Sequence, residues 1–600
     1  MHNFHIPVMG TAFTIDSPLK VGKYGISSVI SIGDDALCES MREFYTKKYG
    51  RSYEAIEKFS TNEYRSERIT AYLNLVHEIL NLQMTELRTS TFEEGSEITT
   101  YFELLPEDSL LKKEYESMLK LPEGSEKETA QFALREKVRP GSIDVNIMTK
   151  LDRRTYSKDG ELLPEEYSDA LTALKGFADS ELDGGVVFSA GFNRRLYAHC
   201  ANFDDFFPDE NGYLKKRIIL KVSDFRSSVI QGKFLAKKGL WISEHRIESG
   251  LNCGGHAFAT TGYVAGVILQ EFLDKKEALF SDLFTVCNDV LKDNGKTVFH
   301  KQLPAKVTYQ GGIGTSNEQD FLLNYYKLDG TGWASPFLIV PEVTCLDDET
   351  REHLAKSDET SFYLSGVSPL GVPFNTVKGT ASEDQKMDRV KIGRPGSPCP
   401  KGHLVSNTEF TKKPICTAST TYQKRKLAQL EESRGQLAES DYQSQYDAVV
   451  AKSCLCEDLA SPALIKHDIA HKWTLKSAVC PGPNLAYFSK IASLKEMVGH
   501  IYGRLNLRNN TKRSNFLINE LKMYINYIEK ELKNALPNPD AKQVKYLNEF
   551  KNNLLDGIAY YKSLIPQLFN EASTYKEIMT SDLTQLKQEL ETLVSTHSTI

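Results

Sequence analysis

The sequence has no apolar run near the ~20 residues that a bilayer-crossing helix needs, so no membrane span is expected. It lacks G-x-x-x-x-G-K-[ST] and so offers no P-loop for a nucleotide. It also lacks G-x-G-x-x-G in a first βα unit, which leaves a Rossmann dinucleotide site unsupported. Neither C-x-x-C-x-x-C nor a pair of C-x-x-C motifs occurs, so no standard iron–sulfur or zinc spacing is present. There is no internal repeat and no low-complexity tract. The opening MHNFHIPVMG lacks a basic segment followed by a long apolar one, and no secretion signal is expected.

What is there is ordinary globular composition: 600 residues, 40% hydrophobic and 26% charged. That length suits two to four domains and a large core without staples. Lys+Arg 73 against Asp+Glu 80 leaves a net charge of −7, which does not announce a nucleic-acid binder. Ten cysteines are too sparse for a disulfide scaffold, and half of them lie between 399 and 480. A reducing compartment, taken as the cytoplasm, with one metal or cluster site fits that distribution.

Residues 1–375 alternate short apolar strands with helices, the α/β signature. Eight strands are expected: 5–10, 26–32, 143–149, 185–191, 217–224, 240–246, 306–312 and 337–343. Eight strands with helices between them suggest a (β/α)8 TIM barrel, with an open doubly wound sheet as the structural alternative. About 110 residues separate strands two and three. Leu73, Val76, Leu80, Met84 and Leu87 recur there at helical spacing, so a helical insertion is expected at about 35–140, with 104–140 rich in loops. Residues 376–485 form a Cys-rich segment around a polar helical stretch at 421–449. Residues 486–600 read as a helical C-terminal region. Leu517, Leu521, Tyr524, Ile528 and Leu532 make one stripe, Val544, Leu547, Leu554, Ile558 and Tyr561 another, and LPNPD (536–540) breaks them.

The most informative stretch is Gly311-Gly312-Ile313-Gly314-Thr315, after a strand and before a helix. Its glycines let backbone approach a ligand, and the helix start offers free N–H groups to an anion. Gly330-Thr331-Gly332 follows soon after. Barrels often build a phosphate site from the loops after strands seven and eight. A monophosphate cofactor fits best, with FMN the leading candidate.

Ionisable and small residues crowd the end of strand six: Glu244, His245, Arg246, Cys253 and His256. His256 follows two glycines and suits a proton shuttle, or is a turn histidine satisfied by backbone. Cys253 is a reactive thiol or a small buried hydrophobe. Asn146, Lys150, Ser189, Lys221 and Asp224 end other strands. Lys221 inside IILKV would place a cation beside a reduced flavin, unless its head reaches solvent.

Pro7-Val8-Met9-Gly10, Cys253-Gly-Gly-His256 and Gly311-Gly-Ile-Gly314 together resemble the FMN-dependent barrel oxidoreductases of the nitronate monooxygenase (2-nitropropane dioxygenase) type. They are also similar to the enoyl reductases of polyunsaturated fatty acid synthesis. The resemblance covers about 375 residues, in motifs only. It implies a first strand under the flavin (Met9, Gly10, Thr11), His256 as base or proton donor, and Gly312 and Gly314 on the phosphate. Cys253 departs from the alanine or serine usual at its position, and the region after 375 has no counterpart.

Cys399, Cys416, Cys454, Cys456 and Cys480 lie within 82 residues. Together they would hold a [4Fe–4S] cluster or a structural zinc, or remain free thiols. Cys399 and Cys480 each precede proline, as ligating cysteines in iron–sulfur proteins do, and His403 could replace one thiolate. The leading expectation is an FMN-dependent oxidoreductase acting on a small organic molecule. An electron-transfer partner or NAD(P)H would exchange electrons with it, and an oligomer is compatible. Alternatives are a non-redox lyase or isomerase using Lys221 or Lys150, and a dihydrouridine-synthase-like enzyme binding RNA through Arg504, Arg508, Lys512 and Arg513.

Overall fold

Strands that are apolar on both faces are stable only in a parallel sheet covered by helices. The computed structural model, which describes residues 1–189, 191–254, 261–471, 474–509, 512–535, 540–568 and 570–595, shows that sheet closed into a barrel. Its strands are β1 (Phe4–Ile6), β2 (Ser27–Ser31), β3 (Ile143–Met148), β4 (Gly184–Ser189), β5 (Lys216–Val222), β6 (Ile242–Glu248), β7 (Lys306–Gln310) and β8 (Gly330–Gly332). Every neighbouring pair is parallel, and β8 closes on β1 with His5 opposite Gly332. The expected (β/α)8 fold is therefore present.

Strand eight corrects the sequence reading. The run 337–343 is not a strand: Pro336 opens a buried 3-10 helix over Ser335–Ile339. A short, wholly buried apolar run carries no periodicity that separates strand from helix. The true β8 is Gly330-Thr331-Gly332, which reads as a turn because glycine is depleted in strands. A Cβ on Gly332 would lie 2.7 Å from Gln310 Cβ and 2.9 Å from Pro7 Cγ, so a side chain there would obstruct closure.

The insertion is built of helices joined by loops, the longest loop being 49–63. After Asp35–Lys48 come Tyr64–Thr89, Glu97–Leu104, Leu110–Leu119 and Ser125–Lys137, so 104–140 carries two helices rather than loops. Leu73, Val76, Leu80, Met84 and Leu87 are all buried, as their spacing predicts. Arg65 ties this insertion to the barrel by pairing with Asp35 at 2.9 Å and with Asp169.

Beyond the barrel, an antiparallel hairpin of β9 (Phe362–Ser365) and β10 (Phe374–Val377) lies over the loop after β6. Asn375 donates its amide to the carbonyls of Gly250 and Asn252 at 3.1 and 2.9 Å. The polar stretch 421–449 forms two helices, Thr420–Glu432 and Glu439–Val450. Helices Phe516–Ala535, Ala541–Leu564 and Ser573–Ser595 pack on one another, and the first two also pack on the long barrel helix Ala265–Asp293. Among the described residues, no helix is long and apolar enough to cross a membrane.

That last seam carries a pH-sensitive group. Glu520 is fully buried and accepts the Ala265 N–H at 2.7 Å. Burial raises its carboxyl to about 7. The native state thus holds this proton more tightly than the unfolded chain, so stability falls as pH rises from about 4.5 through about 7. Glu520→Gln should remove up to about 3 kcal/mol of that pH-dependent loss. Urea unfolding of both proteins at acid and neutral pH checks this; parallel pH profiles would overturn it.

Candidate active site at the barrel mouth

Residues two apart on a strand share a face. In this barrel that rule stacks the inward side chains in layers. Val29, Val187 and Ile219 form a small apolar cluster of their own, with Val8 packed against it. On the amino-terminal side lie Asp144, Arg217, Glu244, Arg246 and Thr308. On the carboxyl side each of five successive strands supplies one polar residue: Asn146, Ser189, Lys221, Glu248 and Gln310. Active sites of such barrels lie on this side.

Glu248 organises the carboxyl-side ring. Its Oε1 accepts from Lys221 Nζ at 2.9 Å, from Gln310 Nε2 at 2.8 Å, and from Asn252 Nδ2. All four residues are less than a tenth exposed. The Lys221 head therefore does not reach solvent. Asn146 donates to Ser189 Oγ at 3.3 Å, while its own Oδ1, with Asn252 Oδ1 and Gln310 Oε1, is buried without a partner. A cavity of about 140 Å³ opens here, lined by Gly10, Thr11, Asn146, Lys150, Lys221, Glu248 and Cys253. Burial lowers the Lys150 pKa. Gly10 has φ +53°, and a Cβ there would lie 2.6 Å from the Phe13 ring, so the approach of β1 to the cavity needs glycine.

Later segments complete the wall. Asp34 is held by Lys401 at 2.6 Å. Burial alone would raise the Asp34 carboxyl, but Lys401 and His403 more than offset it and hold it well below the usual range. Cys480 also reaches the cavity, with its Sγ 3.5 Å from Cys253 Sγ. Gly254 N–H donates to the Cys480 carbonyl at 2.9 Å, fixing the two backbones together. The neighbouring Cys480 thiol and burial raise the Cys253 thiol well above its ordinary value. Cys480 thus belongs with Cys253 at the mouth and not with the other late cysteines.

Several expected roles change. Met9 packs in the apolar core instead of the cavity. His245 faces outward, stacked on Phe280, and burial lowers it to about 4. Glu244 pairs with Arg246 at 2.7 Å beside the opposite mouth. Asp224 caps the helix Phe225–Ala236 by accepting from Ser227 N–H. His256 lies outside the described residues. Asp34, Glu248, Asn252 and Gln310 were not singled out from sequence. For Glu248 the signal was present, at two residues beyond Arg246.

The two glycine elements do not converge on an open phosphate cradle. Gly330 lies at the opposite mouth, Gly332 sits under Gln310, and Thr331 points outward to Gln319 at 2.7 Å. Thr315 caps its helix by accepting from Glu318 N–H. Gly314 N–H donates to Glu318 Oε2 at 2.8 Å, and a Cβ on Gly314 would lie 2.8 Å from the Arg513 guanidinium. Ser249 and Leu251 press equally close on Gly311 and Gly312. The chain itself fills the turn at Gly314, while Gly312 lines a separate cavity of about 730 Å³.

A flavin's requirements are met at its ring end. The pyrimidine edge of a flavin carries both an N–H and carbonyls. The unpartnered amide oxygen of Asn146, with the Lys221 ammonium, supplies an acceptor and a cation for it at the cavity wall. They are not met at Gly314, where the N–H and the space are taken. Two of the four basic residues proposed for RNA are likewise engaged: Arg513 is wholly buried against Glu318, and Arg504 binds Glu107 at 2.6 Å.

No family model matches the chain, and no curated protein matches it. Solved structures similar to it include the enoyl reductase domain of MlnA from the macrolactin biosynthesis cluster of Bacillus amyloliquefaciens, at 13% identity and TM-score 0.30 over 72% of this chain and 87% of that one. Another is nitroalkane oxidase from Streptomyces ansochromogenes, at 9% identity and TM-score 0.28 over 78% of this chain and 97% of that one. The barrel assignment rests on the strand order, independently of these likenesses.

The Glu318–Arg513 pair yields a direct test. Glu318 also accepts from Phe516 N–H at 2.9 Å, so the pair pins the C-terminal helices to the turn after β7. Arg513→Met would leave a buried carboxylate unpaired, a loss of about 3–5 kcal/mol. Urea unfolding measures it; a loss under about 1 kcal/mol would show that the pair does not hold this junction.

Proposed function

We propose that this protein is an FMN-dependent oxidoreductase acting on a small organic molecule at the carboxyl mouth of the barrel. The observation that carries the reading is the set of buried polar groups lining the cavity, with Lys221 fixed by Glu248 and the Asn146 amide oxygen unpartnered beside it. A bound flavin would supply two-electron hydride chemistry.

In this reading Lys221 holds positive charge at the pyrimidine edge, where charge accumulates on reduction. Glu248 keeps the ammonium aimed, and Asn252 and Gln310 hold the Glu248 carboxylate in place by donating to it. Asn146 accepts from the ring edge and fixes its register against β3. A hydride change on carbon needs a matching proton. His256 follows cavity-lining Gly254 by two residues and is the group proposed to move that proton. The phosphate would be held away from Gly314, whose N–H is committed to Glu318.

Protein purified in the dark should be yellow and release FMN on acid denaturation. Lys221→Met should fold, weaken FMN binding and lower the flavin's reduction potential. His256→Ala should retain flavin and slow its half-reaction by ~10²–10⁴. A colourless protein that takes up no added FMN would sink the reading; unchanged turnover in His256→Ala would remove only the histidine.

A further inference from the structure

We propose that Cys399, Cys416, Cys454 and Cys456 form a four-thiolate site for a [4Fe–4S] cluster beside the barrel mouth. The inference stands apart from the flavin reading, since it rests on a different part of the chain.

Three segments far apart in sequence bring these sulfurs together. Ser397 and the loop before helix Thr420–Glu432 are bridged by Ser397 N–H to Ala418 O and Thr420 N–H to Ser397 O, both 2.9 Å. That contact sets Cys399 against Cys416. The short helix Leu455–Asp458 carries Cys456 and follows Cys454, its N-cap. Cys454 and Cys456 both lie within electrostatic reach of Cys399, and Cys456 within reach of Cys416. Cys480, by contrast, is committed to Cys253.

A backbone N–H also lies near each sulfur. Gly402 serves Cys399, Ala418 serves Cys416, Glu457 serves Cys454 and Leu404 serves Cys456. Hydrogen bonds to sulfur stabilise ligating thiolates and tune cluster potentials. Cys399 holds φ +56°, uncommon for a residue with a Cβ. That conformation starts the tight turn Cys399-Pro-Lys-Gly402 that brings the Gly402 N–H back to the sulfur. Strain of this kind persists where the surroundings impose it, often at functional sites. Arg153, His403 and Lys401 lie close enough to offset the negative charge of four thiolates.

The spread of the four sulfurs favours a cluster over a single zinc. Zn–S bonds of ~2.3 Å would put tetrahedral sulfurs about 3.8 Å apart. Among the described residues the one trio whose ligand atoms all lie within 4.8 Å is Asp16, Cys345 and His467, so no three of these four sulfurs are that close. A cubane spreads its thiolates wider because each binds a different iron, so Cys399 and Cys416, whose thiols touch here, would part on ligation. On ligation each thiol gives up its proton as its sulfur binds one iron, so four protons leave per cluster with no change in electron count. The Asp16 trio is a weaker candidate, since Lys20 and Tyr45 already hold Asp16 at 2.9 and 2.8 Å.

The test is metal analysis of the full-length protein, purified anaerobically and again after reconstitution with ferrous and ferric iron and sulfide. About four iron and four acid-labile sulfide per chain are expected, with a reduced-state electron paramagnetic resonance signal. Cys416→Ser and Cys454→Ser should lose most of the iron and sulfide, while Cys253→Ser and Cys480→Ser keep both. Zinc without sulfide, no iron after reconstitution, or iron lost only in Cys480→Ser would each overturn the proposal. The wild-type content decides the matter even where a variant fails to fold, and iron and sulfide assays are blind to flavin content.

Discussion

Closure of the barrel at a strand made of glycine is the constraint on which the rest of the structure depends. β8 contributes almost no side chain to the interior, and the space at Gly332 is taken by Gln310, Pro7 and His5 from its neighbours. A barrel closed this way draws β7 and β1 close together. Gln310 is the register partner of Glu248 on the neighbouring strand, and closure curves the polar ends of β3 to β7 around one space.

The ring is costly to build, and its chemistry explains its composition. A lysine and a glutamate taken out of water must be paired and further hydrogen-bonded to be tolerated. Glu248 meets that condition with three donors on one oxygen, which leaves amide oxygens elsewhere in the ring without donors. Structures rarely keep buried acceptors unpaired without a functional reason. The opposite mouth is charged as well, with Glu244 against Arg246 and His5 lowered by burial to about 3, and Val29, Val187 and Ile219 separate the two ends. The interior is therefore two polar layers insulated by an apolar one.

The sequence was legible where local pattern and burial agree. Seven of the eight strands lie where alternating or continuous apolar runs place them, and Leu73 to Leu87 marks a buried helix face. It was illegible where tertiary contact overrides propensity. The Gly-Thr-Gly strand β8 and the 3-10 helix at Ser335–Ile339 exchange the appearances of turn and strand. At the site, Lys221 and Asn146 were legible as polar residues inside apolar strands. Glu248 and Gln310 matter through a partner on the next strand, which no single run of sequence displays. Cys480 was grouped with its sequence neighbours, yet a chain returning across the mouth delivers it to Cys253, 227 residues earlier.

That return is the last step in assembling the mouth. The chain after the barrel folds back over it from several sides. Leu459 accepts from Ala12 N–H at 3.2 Å beside β1, Lys401 binds Asp34 after β2, Asn375 clamps the loop after β6, and Gly482 N–H donates to Ser335 Oγ at 2.8 Å after β8. Barrels usually build their sites from their own βα loops. Here the post-barrel segments supply wall residues directly, Cys456, His403 and Cys480 among them. The cavity is thus made jointly by the barrel and by the chain that follows it. Any change that loosens the Cys399–Cys456 region removes part of the cavity wall, so the thiol-rich segment and the barrel mouth stand as one structural unit.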